Sequence, residues 1–96
     1  MNFKVVVPKP ISERIGGFGL SRGLTVRVLT AIHTLTIARY PQFRDARVVG
    51  QERYCWFRMV LAEGGATHIF YVAVDDTTAP GHLIIANIKH DFTTNA

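Results

Sequence analysis

The residues best suited to chemistry in this 96-residue chain are its arginines and histidines. All eight arginines fall between Arg14 and Arg58, where only Asp45 and Glu52 oppose them, giving that window a formal +6. The rest of the chain, with three lysines and five acids, carries −2. A guanidinium presents a planar fork of donors that fits phosphate or carboxylate two bonds at a time. The window therefore points to an anionic partner, either a nucleic acid or an acidic protein segment. The competing reading is a solvated helix face with a few ion pairs. Histidine is the residue type suited to acid or base work near neutral pH, and the chain has four, His33, His68, His82 and His90. Their spacing builds no closed ligand set and Cys55 stands alone, so no metal and no other cofactor is expected. No nucleophile elbow or Cys–His–Asn order is present, and Asp75-Asp76 reads as a turn. Gly16-Gly17-Phe18-Gly19 reads as an interhelix turn. A phosphate cradle would need a Gly-Lys-Ser/Thr sequence and a long preceding strand, and both are missing.

Elements must position these groups. At 48% hydrophobic and 19% charged the chain is globular, and its length allows one domain, 1–96, with one core. Phe3 to Val7 is a short β-branched run stopped by Pro8 and Pro10, which reads as an edge strand. Pro10 to Leu20 allows one or two helical turns, weakened by its glycines. Seventeen residues separate Gly23 from Pro41 without internal Gly or Pro. Within them Leu24, Val28, Ala31, Ile32, Leu35 and Ala38 recur at helical spacing, with Ser21 as cap and Pro41 as stop. Many of these residues are β-branched, which opposes the helix, and length decides in its favour. Gln42 to Gly50 is an arginine-bearing connector in which Val48-Val49 begins a short strand.

From Tyr54 the period becomes two. Cys55, Phe57, Met59 and Leu61 form an apolar face turned to the helices, and Tyr54, Trp56, Arg58 and Val60 form the other. Trp56 and Tyr54 are placed to stack on a base or pack a protein segment. Gly64-Gly65 turns the chain into a central strand, Thr67 to Val74. Asp75 to Gly81 turns it into a last strand, His82 to His90, and the tail from Thr93 frays. The fold class is thus α+β: a strand, two helices, then an antiparallel sheet of three to four strands.

This order, with Tyr40-Pro41, the basic stretch Arg44 to Arg47, Val48-Val49-Gly50, the strand Tyr54 to Leu61, the run Thr67 to Asp76 and the closing strand Leu83 to His90, resembles the RelE/ParE superfamily of bacterial type II toxin–antitoxin toxins. The resemblance covers Phe3 to His90. It implies growth inhibition by one of two routes: metal-independent, endoribonuclease-type cleavage of mRNA on the ribosome, or poisoning of DNA gyrase. It also implies a cognate antitoxin protein as partner. Carried over by position, it implies a catalytic set of Arg58, His68 and His90, and nucleic-acid-binding residues Arg44, Arg47, Trp56 and Lys89. His68 stands where the family usually has an arginine, and Trp56 where the cutters often have a second lysine. The C-terminal helix of some cutters has no counterpart. The alternative is a non-catalytic module binding nucleic acid or protein on the same fold. Val5-Val6-Val7 before Pro8 is too short for a signal peptide or membrane span, and a cytoplasmic protein without membrane contact is expected.

Overall fold

In a computed structural model the described residues are 3–50 and 54–94, with the side chains of 43–50 left aside. The element order is β1 (Lys4–Val6), α1 (Lys9–Gly16), α2 (Arg22–Gly50), β2 (Cys55–Glu63), β3 (Ala66–Asp75) and β4 (His82–Thr94). The strands make one sheet in the order β1-β4-β3-β2. β2–β3 and β3–β4 are antiparallel, but β1 runs parallel to β4, pairing Lys4 with His82 through Val6 with Ile84. The sheet is therefore mixed, not purely antiparallel. β1 precedes the helices, and the two-helix crossover returns the chain to the far side of the sheet from it.

Both helices pack on one face. Ile11 and Ile15, one turn apart, bury α1. On α2 the buried stripe is Leu24, Val28, Ile32, Thr36 and Tyr40. Ala38 lies on the exposed side, and the larger Tyr40 closes the stripe. Ser21 caps α2 by accepting the Leu24 amide (3.0 Å). The helix carries its threonines because some of them satisfy their hydroxyls locally. Thr25 and Thr30 donate to the carbonyls of Ser21 and Val26 four residues back, both at 2.9 Å.

Pro41 does not stop α2, which continues to Gly50 through the expected connector, so Val48-Val49 is helical rather than a strand. The proline ring holds a helical φ, and the bond it removes frees only the carbonyl of exposed Ile37, open to water. Arg44 and Arg47 lie on this last stretch, and their side chains fall outside the described residues. The turn between the helices has Gly19 at φ 74°, the left-handed region that glycine adopts freely.

β2 alternates as its period demands, with Cys55, Phe57 and Met59 buried and Trp56, Arg58 and Val60 exposed. β4 could not keep a simple alternation. Ala73 faces Asn87 but Val74 faces Ile85, so Ala86 is an extra residue, a β-bulge. The bulge resets the phase, and Leu83, Ile85 and Ile88 all reach the core with no exposure. β4 also continues past His90 to Thr94, into the segment expected to fray. Beyond Ile84 its outer edge has no β1 to pair with, and side chains cover part of it. Arg14 Nε donates to the Ile88 carbonyl (2.7 Å), and Asn87 and Asp91 accept the Ile88 and Phe92 amides (both 2.8 Å).

Candidate nucleic-acid interface and the histidine pair

The face of the sheet turned away from the helices carries three cross-strand rows. Trp56, Ala73 and Asn87 form the first, Arg58, Tyr71 and Lys89 the second, and Val60, Ile69 and Asp91 the third. Neither helix covers these rows, and Trp56 (39%), Tyr71 (41%) and Val60 (52%) remain exposed. Ala73 is too short to fill its place between Trp56 and Asn87. A shallow depression of about 470 Å³ opens there, lined by Trp56, Tyr71 and Lys89. Lys89 Nζ sits 5.5 Å from the Trp56 ring centre, a cation–π contact that orders both side chains. The first two rows hold no acid. In the third, the Asp91 carboxylate accepts the Phe92 amide. The face thus offers two flat rings beside two cations, a combination that stacks bases and holds phosphates.

On the opposite face, beyond the end of the core, His68 stands across from Phe92 and His90 across from Phe70. His68 Nδ1 and His90 Nε2 are 2.9 Å apart. The two ring planes differ by 9° and their centroids are 5.1 Å apart, which is the length of that bond plus two ring radii. The rings therefore lie side by side in one plane, joined by an in-line N–H···N bond, rather than face to face. Phe70 packs on His90 at 4.8 Å between centroids, and Phe18 from the interhelix turn at 5.0 Å. Burial first, and then the neighbouring His68, hold His90 below the usual imidazole range, with Asp91 opposing.

The structure thus divides the expected site residues. Arg58, Trp56 and Lys89 come together, and His68 and His90 come together, but the thickness of the sheet separates the first group from the second. Arg58 cannot reach a group held by the histidines, so one chain does not assemble the three-residue set. Tyr71 was not legible as a site residue, because its strand is apolar on both faces and its neighbours depend on register. Tyr54 is half-buried at the start of β2. His33 is exposed on α2, and His82 Nδ1 lies 2.9 Å from the Pro80 carbonyl oxygen. Among the described residues no three His, Cys, Asp or Glu side chains converge to hold a metal ion. No described helix is long and apolar enough to cross a membrane.

No protein-family model, curated protein or solved structure matches the chain.

Proposed function

We propose that the domain binds single-stranded RNA on the open face of its sheet and acts as the growth-inhibiting toxin of a RelE/ParE-type toxin–antitoxin module, held silent by a cognate antitoxin. The observation that carries this reading is the convergence of Trp56, Arg58, Tyr71 and Lys89 on a face that neither helix covers. Trp56 and Tyr71 are diagonal neighbours on adjacent strands, about 7 Å apart in backbone position. That spacing suits successive bases of an extended strand better than the closer stacking inside a duplex. Arg58 and Lys89 flank the rings, and Arg58 can grip a phosphate with two bonds. The strand–helix–helix–strand–strand–strand order is the one the RelE/ParE resemblance implies, which supports the reading.

A second reading, a binding module without cleavage, is favoured by one observation. The histidines able to move protons lie on the other side of the sheet from Arg58. The test is expression of the chain alone, together with titration of labelled single-stranded RNA by the purified protein. The toxin reading expects growth arrest that is relieved in Arg58→Ala and Lys89→Ala. It expects binding that weakens with salt at a logarithmic slope of about −1.4, two phosphates' worth. Binding and arrest without cleaved RNA supports the second reading's chemistry within the same face. Normal growth with soluble protein, or flat salt dependence, overturns the proposal, and arrest with intact RNA but inhibited gyrase redirects it.

A further inference from the structure

We propose that His68 and His90 form a proton-sharing latch that holds the interhelix turn on the sheet and releases it when the pair takes up a second proton. The geometry sets the stoichiometry. An in-line N–H···N bond of 2.9 Å holds one proton between two ring nitrogens. When the pair binds a first extra proton on an outer nitrogen, the bridge becomes an imidazolium donating to an imidazole, a stronger bond that keeps the rings in place. A second proton has no such site. It must occupy the one remaining facing lone pair, leaving two N–H groups of two cations aimed at each other. The rings then have to separate.

What the separation moves is set by the packing. His90 packs on both Phe70 and Phe18, and Phe18 also meets Phe70 at 6.3 Å between centroids, so displacing His90 removes the nearer of the two ring contacts that Phe18 makes from the turn. The turn is built to yield. Gly16, Gly17 and Gly19 surround Phe18, and added Cβ atoms at Gly16 and Gly19 would meet nothing. Phe70, with no exposure, remains anchored in the core.

The charged groups around the pair do not relieve the repulsion. Asp91, next along β4, favours a charged His90, but its carboxylate is on the other face of the sheet, bonded to the Phe92 amide. Lys89 is on that other face too, with the wrong sign. From α1 comes Arg14, positive and fixed on the Ile88 carbonyl. From α2 comes Arg27, bonded to the Ala62 carbonyl, and Glu63 at the hairpin is engaged by the Ser21 hydroxyl at 2.7 Å. Residues 17–20 of the turn carry no charge.

Burial and the neighbouring His68 make His90 hold a proton less readily than a free imidazole. The latch therefore holds above the ordinary imidazole value of 6.5 and through the first protonation, and is lost as the pH falls far enough below it for His90 to take the second proton.

The Phe18 amide, which donates to the Ile15 carbonyl at 3.1 Å, reports the turn directly. Hydrogen exchange is followed there from about pH 7.5 to about pH 5, corrected for intrinsic exchange, with the core amide of Val72 as reference. Phe18 protection is expected to fall about tenfold or more while Val72 holds. Imidazole nitrogen resonances are expected to show two separated titration steps, with the turn following the lower one. His90→Phe, which keeps a ring against Phe18 and Phe70, should remove the pH dependence. His68→Gln, which leaves a single imidazole, is a second variant should the first not fold. Flat Phe18 protection, unchanged pH dependence in a folded variant, or two independent ordinary titrations overturns the latch. None of these readouts depends on RNA, so the latch can fail while the RNA-binding reading stands.

Discussion

Replacing Trp56 by alanine removes the larger ring of the open face, and its cost can be worked out before measurement. Trp56 is 39% exposed, so its ring is available to a ligand while its edge covers Ala73. Stacking one base on such a ring contributes about 1–3 kcal/mol. The same substitution frees Lys89 from the 5.5 Å contact that places it, a further loss of about 0.5–1 kcal/mol. Together these weaken binding by about 1.5–4 kcal/mol, or roughly 10- to 800-fold in Kd. Folding should suffer much less, by about 1 kcal/mol, because the buried set of β2 is untouched. Anisotropy titration of a labelled single-stranded oligoribonucleotide measures the first quantity, and a thermal melt the second. Trp56 is the only tryptophan, so its own fluorescence should be quenched on binding to the wild type. Trp56→Phe should keep most of the affinity, and Ile37→Ala, exposed on α2, all of it. An affinity within about twofold of wild type for a folded Trp56→Ala protein would show that the bases do not stack there.

Thr36 is 1% exposed and its hydroxyl has no partner among the described residues, so Thr36→Val should be neutral or stabilising by up to about 1 kcal/mol in chemical denaturation. Asp75 accepts bonds from Thr78 and Thr77, first of all the Thr78 hydroxyl, which bring its carboxyl down to about 2 from 3.8. The stabilisation is present above pH 3.8 and lost as the pH falls through about 2. Asp75→Ala should therefore cost about 1 kcal/mol at neutral pH, after allowing for solvent screening, and flatten that acid limb of the stability curve. Gly64 turns the β2–β3 hairpin at φ 60° with open space around it, so Gly64→Ala should cost about 1–2 kcal/mol from backbone strain alone, read from the melt.

Much of the architecture was legible where one local period dominates. Trp56, Arg58 and Val60 alternate with Cys55, Phe57 and Met59, and nothing in the tertiary structure overrides that alternation. Ser21 announced the start of α2 because capping is a three-residue matter. What local pattern could not show was pairing. The strand at Lys4–Val6 reads as an edge strand, but its parallel partner lies at His82–Ile84, far along the chain. The bulge at Ala86 shifts β4 by one residue, so no fixed period carries both Ile85 and Ile88 inward. Register also explains the divided site. Arg58, Tyr71 and Lys89 become neighbours, and His68 and His90 bond, only once three strands are aligned. Pro41 misled for a different reason. A single proline on a solvent-facing side of a long helix removes one bond that water can replace.

The parallel pairing of β1 with β4 has a consequence for synthesis. A ribosome delivers β1 first, yet the strand it needs is the last of the sheet to emerge. Until then Phe3, Val5 and Val7, which pack against the core, have no sheet to settle on. The helices and the β2–β3 hairpin can assemble on the emerging chain, but β1 must wait for closure over the longest loop in the fold, the slow step of such topologies. The open face that we propose to bind RNA draws on β2, β3 and β4, so it too is complete only once β4 has left the ribosome.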